Sequence, residues 1–270
     1  MPRPATARTC ALAAVLLLAG ASAEAQEARE FCANRPGRGS PPCVLDAGRF
    51  QIEASAVDFT RDRQGGARVD TTLLGDLAFR LGVTGSGEAQ LAFSPYVRIR
   101  VQDPGGSSRA TGHSDLTLAW RQSLRNPDGS GVSIAVEPFV TAPTAERGFG
   151  AGGWQGGVTV PMAFPLPGGF GLGVTPQLAV VKNAARGGSH LNATGVIGVS
   201  RPFGAFSLGA EVYVNYDDDP AGDVVRTTFD LAGAWIPPGL KDTQFDVGVN
   251  AGLDRHAPDY QVYAGVAHRF

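Results

Sequence analysis

The chain has 270 residues, with 23 lysine and arginine against 25 aspartate and glutamate residues, a formal net charge of −2. This balance gives no electrostatic basis for binding nucleic acid. The 37 glycines are scattered without a collagen-like period, which excludes a fibrous chain. Beyond the N-terminus no run reaches the roughly 18 apolar residues of a membrane helix, so an exported chain of this kind is either soluble or a β-barrel.

The N-terminus has the pattern of an export signal. Arg3 and Arg8 precede an apolar run from Ala11 to Ala19, and small residues follow up to Ala25. Basic, apolar and small-residue regions in this order are typical of a cleaved secretory signal peptide. We therefore predict a signal peptide over residues 1–25 and a mature protein in an oxidising compartment.

Residues 26–48 show no hydrophobic periodicity and are rich in proline and glycine. We predict a periplasmic leader here that is either flexible or ordered by a disulfide. Two cysteines in a short exported segment favour a Cys32–Cys43 disulfide. The alternative is a metal-binding pair, but no histidine lies near these cysteines in sequence.

From Phe50 onward the chain alternates apolar and polar residues, as strands with two different faces do. The segment from residue 87 to 102 and the last eleven residues show this most clearly, and the chain ends on an aromatic residue, Phe270. Their length exceeds the usual strand but fits a tilted strand that crosses a bilayer in roughly 9–11 residues. The predicted segments are 50–58, 70–83, 87–102, 114–125, 131–142, 153–164, 170–182, 190–201, 205–216, 224–236, 243–254 and 259–270.

The connections between these segments alternate between short and long. Short periplasmic turns and longer outer loops are the rule in outer-membrane barrels. We therefore predict an all-β fold, a transmembrane antiparallel up-and-down β-barrel of about twelve strands over residues 49–270. The long connections, including 59–69 and 103–113, are predicted outer loops. Pro95, Pro138, Pro161 and Pro176 fall inside predicted strands, where we expect bulges.

In each strand the polar residues occupy every second position, which we call the polar parity. Charged residues on the polar parity are predicted to face the lumen, because a charge on the lipid face costs about 2–4 kcal/mol near the midplane. Two roles stay open: opposite charges that brace the wall, or a polar constriction that filters solutes. The candidates for the constriction are Glu88, Arg98, Arg100, Asp115, Glu137, Arg226 and Asp230.

Other motifs carry little chemistry. His113, Ser114 and Asp115 are adjacent, so their side chains point apart and cannot form a catalytic triad. The acidic stretch from Asp217 to Asp219 lacks the spacing of a calcium loop. A solvated outer loop, or one bridged by divalent cations to lipopolysaccharide, explains it. We predict no catalytic residue, metal or cofactor.

Short motifs carry a family resemblance. They are Gly48–Glu53, Arg80–Val83 leading to Glu88, Gly112–Leu116 and Ala142–Thr144. In them the chain resembles, over residues 43–270, the outer-membrane transporter family associated with phenol meta-cleavage pathways in Gram-negative bacteria. Ser114 and Ala145 stand where glycine is usual in that family, and Arg121 where lysine is commoner. The resemblance implies a non-enzymatic protein that passes small hydrophobic or aromatic molecules.

The sequence thus predicts a channel for diffusion of small molecules in the outer membrane of a Gram-negative bacterium. The expected partners are outer-membrane lipid, lipopolysaccharide, a small solute, and the barrel-assembly machinery through a C-terminal signal at Phe270. One alternative is an occluded barrel with a structural or surface-interaction role. A lipid-modifying enzyme would need a serine and histidine pair on the lipid-facing parity near the outer rim, and the sequence shows none. A soluble exported β-sandwich is the third alternative.

Overall fold

A computed structural model describes residues 28–185 and 187–270, and almost all of its regular structure is antiparallel strand. The predicted signal peptide lies outside the described residues. One 3-10 turn, Pro167–Gly169, accompanies the strands, and no helix in the described part of the chain is long and apolar enough to cross a membrane. The strands are β1 Phe50–Gln64, β2 Ala67–Leu74, β3 Asp76–Thr84, β4 Gly87–Phe93, β5 Tyr96–Asp103, β6 Gly106–Gly112, β7 Leu116–Arg125, β8 Ser133–Ala142, β9 Gln155–Thr159, β10 Met162–Leu166, β11 Phe170–Lys182, β12 Ser189–Phe203, β13 Phe206–Asp217, β14 Val224–Trp235, β15 Thr243–Gly252 and β16 Tyr260–Arg269.

The strands close into a barrel. The last strand, β16, pairs antiparallel with β1, from Gln51 opposite Arg269 to Arg61 opposite Tyr260. Four consecutive pairs, β2 with β3, β4 with β5, β6 with β7 and β9 with β10, are the two halves of single barrel strands. Counting each pair once leaves twelve barrel strands, so the predicted transmembrane barrel is confirmed and the sandwich alternative is wrong.

The distribution of side chains is the reverse of that in a soluble protein. The largest fully buried side chains include Arg80, Arg121 and Glu88, whereas Val247 is 61% exposed and Leu208 59% exposed on the outside. An apolar exterior around a polar interior is what a barrel needs in lipid, because the acyl chains replace water as the outer solvent.

Aromatic rings encircle the end of the barrel where both termini of the barrel chain meet. Phe50 stacks on Phe79 and on Phe270, with ring centroids 6.1 and 6.0 Å apart. Phe206 and Trp235 stack at 6.1 Å further around the same rim. Such girdles mark the interface of the bilayer with water. By the rule for termini and short turns, this rim is the periplasmic one.

Two predicted outer loops are instead strand. β1 continues to Gln64 and returns through Gly65 and Gly66 into β2, and β5 turns likewise into β6. Both glycines have positive φ, 59° and 81°, which suits a tight two-residue hairpin turn. The loops predicted over 59–69 and 103–113 are therefore wrong, because tight two-residue turns, Gly65–Gly66 and Pro104–Gly105, let the strands run on beyond the wall.

A kink crosses four neighbouring barrel strands at one level. The register of β1 slips between Ser55 and Val57, and Gly75 separates β2 from β3. Ser94 with Pro95 separates β4 from β5, and residues 113–115 separate β6 from β7. Hydrogen bonds bridge the break, from Gly75 N to Ser55 O (2.9 Å) and from Ser114 N to Ser94 O (2.9 Å). Each extra residue reverses the face to which the following side chains point.

The four prolines behave in two ways. Pro95 lies at the kink, as expected, whereas Pro161 falls between β9 and β10 without shifting the register against either neighbouring strand. Pro138 lies within β8 and Pro176 within β11, and neither neighbouring register shifts there. The bulges predicted at these two prolines are absent from the described registers.

Candidate channel lumen

An ion-pair network covers one side of the lumen near the periplasmic end. Arg80 of β3 contacts Glu88 of β4 at 2.8 Å and Glu53 of β1 at 3.1 Å. Arg121 of β7 contacts Glu137 of β8 at 2.6 Å and Glu88 at 3.5 Å. Both guanidinium groups are fully buried. Alternating charges on adjacent strands therefore neutralise one another where water is excluded, which favours the bracing role for this part of the wall.

The leader lies inside the barrel. Near the periplasmic rim Arg29 Nη2 donates to Gly85 O at 2.6 Å and Val44 N donates to Pro127 O at 2.9 Å. Between these points the chain rises into the lumen and returns, and a Cys32–Cys43 disulfide joins the two arms, with Cα atoms 6.5 Å apart. This segment is predicted above as a periplasmic leader, whereas residues 31–45 lie within the barrel.

Backbone groups of the leader form hydrogen bonds with the charged side chains of the wall. Asn34 N and Arg35 N donate to the Glu53 carboxylate at 2.9 and 3.1 Å, and Leu45 N donates to Glu88 at 2.9 Å. In the other direction, Cys32 O accepts a hydrogen bond from Arg80 Nη1 at 2.7 Å. A segment without secondary structure can thus be buried, because the wall supplies the partners that its backbone requires.

Two arginines of the leader reach the opposite half of the wall. Arg35 binds Asp246 of β15 through two nitrogens, at 2.8 and 3.2 Å. Arg38 lies 3.3 Å from Asp230 of β14, and its guanidinium stands over the Tyr213 ring at 4.6 Å. These charge-assisted contacts hold the tip of the leader near the middle of the barrel.

Small residues line the remaining wall, on the periplasmic halves of β11–β15. Thr175 and Glu211 face inward, and the pairing of the strands places Gly173, Gly198, Gly209 and Ala232 on the same face. Two cavities lie between this wall and the leader, of about 220 and about 380 Å³. The leader thus fills part of the lumen and leaves space along the small-residue side.

One side of the outer half of the lumen, above the leader tip, carries a polar cluster. Arg226 of β14 donates to Asn215 at 3.2 Å and to Asp217 at 3.3 Å. His190 Nε2 lies 2.7 Å from the same Asp217 carboxylate. This cluster stands at the outer mouth, where a solute entering from outside would meet it first.

Comparison with known proteins agrees with this architecture. Residues 33–270 match the model of the family described as "Putative MetA-pathway of phenol degradation". The chain belongs to this family. Among solved structures, an outer membrane channel from Pseudomonas putida F1 superposes with a TM-score of 0.68 at 13% identity, covering 87% of this chain and 99% of that one.

Two further structures share the fold. The β domain of the Bordetella autotransporter BrkA has a TM-score of 0.53 at 13% identity, covering 83% of this chain and all (100%) of that one. The NanC porin has a TM-score of 0.50 at 8% identity, covering 81% and 98%. No curated protein matches the chain in sequence. These likenesses place this member of the phenol-degradation family among outer-membrane barrels.

Of the predicted lumen residues, the structure brings Glu88, Glu137 and Asp230 to the inner wall beside the leader, with Arg226 nearer the outer mouth. Asp115 instead accepts hydrogen bonds from Ala145 N (2.9 Å) and Ala151 N (2.8 Å). It therefore fastens an outer loop, and its prediction as a constriction residue is not supported by this geometry.

Arg98 and Arg100 require a correction, because both point away from the lumen. Gln261 of β16 contacts the leader, so its neighbour Tyr260 faces outward. Arg61 lies opposite Tyr260, Asp70 opposite Arg61, and Arg100 opposite Asp70. The prediction assumed that inward and outward residues alternate without interruption through Pro95. The kink after Phe93 exchanges the two faces, so residues beyond it point the other way.

Several lumen residues were missing from the predicted constriction. Arg80, Arg121 and Glu53 are on the predicted polar parity but only the structure shows them to be the buried centre of the network. Arg35 and Arg38 fall in a segment without periodicity. The sequence does contain a signal for their role, because two arginines between the paired cysteines would supply counter-charges to lumen carboxylates.

Proposed function

We propose that this protein is a non-enzymatic outer-membrane channel through which small molecules diffuse, and that the leader narrows its pathway. The observation that carries this proposal is the space between the leader and the small-residue wall. A polar cluster around Arg226 stands at the outer mouth of the same lumen. A barrel built only to be solid would fill such positions with larger side chains.

The size of this space limits the solute. The cavities of about 220 and about 380 Å³ lie just below and just above the lower end of the roughly 300–1,000 Å³ that small-molecule sites occupy. The family description names phenol degradation. Both points support small solutes, including single-ring aromatic compounds, as the molecules that pass.

In this proposal the leader and the small-residue wall together form the constriction. Asp230 holds Arg38 of the leader in place, whereas Glu88 and Glu137 brace the opposite wall. Residues 1–25 are the signal peptide and residues 26–48 the leader of the mature chain. Phe270, stacked on Phe50 at the periplasmic rim, is the C-terminal assembly signal recognised by the barrel-assembly machinery. Lipid and lipopolysaccharide surround the barrel.

The test is a liposome-swelling assay on refolded protein with solutes of graded size and charge. Gly173 faces the small-residue side, and a Cβ built there meets no atom within 4 Å. Gly173→Phe should therefore enter the pathway without backbone strain and lower the swelling rate. Gly195 is also open but points toward lipid, so Gly195→Phe is the matched control.

A second function has its own supporting observation. The leader fills the periplasmic half of the lumen with buried ion pairs, which suits an occluded barrel with a structural role. Wild-type protein that folds, as shown by heat-dependent gel mobility, yet causes no swelling with any solute would favour this function. Equal swelling by both phenylalanine variants would show that solutes do not use the small-residue side.

A further inference from the structure

An arginine-rich surface lies on the outward face of the kinked sheet. Because of the parity reversal, β1, β2, β5 and β6 present neighbouring arginines away from the lumen. We call this surface the arginine patch. Its members are Arg61, Arg63, Arg68, Arg98, Arg100 and Arg109.

The patch lies at the outer interface of the bilayer. From Phe50 in the periplasmic girdle to Phe59 on the same face, nine residues of a strand tilted by about 40° rise roughly 23 Å, close to the apolar band of about 25 Å. Phe59 and Tyr260 pair there with ring centroids 6.1 Å apart. The Arg61 guanidinium covers both rings, at 5.4 and 5.6 Å. The arginines thus stand at the level of lipid headgroups.

The positive charge of the patch is only partly neutralised. Asp70 pairs with Arg61 at 2.8 Å and with Arg68 at 2.6 Å, and Asp259 pairs with Arg63 at 2.8 Å. In the described part of the chain, Arg100 and Arg109 form no ion pair, and both side chains are exposed. Arg98 is likewise outside the ion pairs described, so three guanidinium groups remain available to an anion, and the six arginines exceed the two carboxylates by four charges.

The patch is also concave. A cleft of about 480 Å³ is lined by Phe59, Thr72, Arg98, Arg100 and Arg109, by serines of β6 and by Asp70, whose carboxylate is paired with Arg61 and Arg68. Arg98 is oriented by Thr72, whose hydroxyl lies 3.1 Å from Arg98 Nη2. Arginine forks and hydroxyl groups match the geometry of a phosphate group, and the apolar wall below would contact acyl chains.

We propose that the arginine patch binds the phosphate groups of lipid A in the outer leaflet. The patch requires an occupant at headgroup depth, with negative charge, and with an apolar part that contacts the wall below. Lipid A meets these three conditions, since it offers phosphates at headgroup depth with acyl chains beneath them. This proposal depends on the outer-membrane location and not on transport, so a closed channel would leave it standing.

The test is titration of folded protein in detergent micelles with diphosphoryl lipid A, read by native mass spectrometry. The variant carries Arg98→Gln, Arg100→Gln and Arg109→Gln. Removing one arginine that contacts anionic lipid weakens binding about fivefold. The three substitutions together should therefore weaken lipid A binding roughly a hundredfold. A control with Arg49→Gln, Arg125→Gln and Arg147→Gln removes equal charge from exposed positions outside the patch and should bind as the wild type does.

Three further arms decide the matter. Lysine at the three patch positions should restore most of the binding, which separates charge from misfolding. Dephosphorylated lipid A should bind as weakly as the glutamine variant does. Equal affinity for dephosphorylated lipid A or phosphatidylglycerol would overturn the proposal. Unchanged lipid A binding by the glutamine variant would also overturn it, and a changed oligomeric mass in that variant would show that the patch is a contact between copies of the chain.

Discussion

Arg35→Gln is expected to release the leader from the barrel. The side chain of Arg35 is 16% exposed and its partner Asp246 is 0% exposed, and two hydrogen bonds join them. Breaking a buried pair by removing one partner costs about 3–5 kcal/mol, because the other charge is left buried and unpaired. At about 1.4 kcal/mol per factor of ten, the population of the released leader should rise more than a hundredfold.

Hydrogen exchange read by mass spectrometry measures this release directly. The amides of Asn34, Arg38 and Leu45 donate to wall carboxylates, so their exchange requires the leader to open. We expect peptides that cover residues 31–45 to exchange at least a hundredfold faster in the variant. Adding Asp246→Asn should recover part of the protection, since it removes the stranded charge.

The matched control is Arg63→Gln. Arg63 forms an ion pair with Asp259 of the same length, 2.8 Å, but its side chain is 65% exposed. Exposed pairs contribute about 0.2–1 kcal/mol, so the leader should keep its protection in this variant. Equal exchange of the leader peptides in Arg35→Gln and Arg63→Gln, or no recovery on adding Asp246→Asn, would refute the argument that buried ion pairs hold the leader.

Three other predictions follow from the leader and an outer loop. Cys32→Ser with Cys43→Ser should destabilise the docked leader by about 2–3 kcal/mol, because the cross-link closes a short loop, and thermal unfolding followed by gel mobility would measure it. Gly82→Ala should displace the leader near Asp46, whose backbone carbonyl occupies the space of the new Cβ; cross-linking from the leader to β3 would report this. Backbone amides of Ala184 and Ala221 hold the pKa of Asp219 below its usual range. The outer loop should therefore stay ordered at neutral pH and lose protection as pH falls below about 4, whereas an Asp219→Asn variant should show no such step.

The barrel itself could be predicted from the sequence because its signal is repeated. Each of twelve strands alternates apolar and polar residues, so an error in one segment does not change the count. The lumen charges Glu88, Glu137 and Asp230 followed from the same alternation. Strand ends at Gln64 and Asp103 did not, because glycine hairpins extend strands through residues too polar to resemble membrane segments.

Arg98 and Arg100 show where parity alone fails. One extra residue at a bulge reverses the face of every residue beyond it, and the sequence marks the bulge only through Ser94 and Pro95. Pro138 has the same chemistry and yet lies in an unbroken register. A proline therefore indicates where a break is allowed but does not show that one occurs.

The position of the leader could not be deduced from its own residues, but it follows from the charge of the wall. Around the leader the inner wall carries six carboxylates, those of Glu53, Glu88, Glu137, Glu211, Asp230 and Asp246. The buried wall arginines that pair with them in the contacts described are Arg80 and Arg121, whereas buried Arg269 pairs with Asp242. Two arginines cannot neutralise six carboxylates in a lumen from which water is largely excluded. Arg35, Arg38 and five backbone amides of the leader supply the missing donors. The leader thus supplies the positive charge that balances the wall carboxylates. Its release would leave an anionic lumen that attracts cations and repels anions.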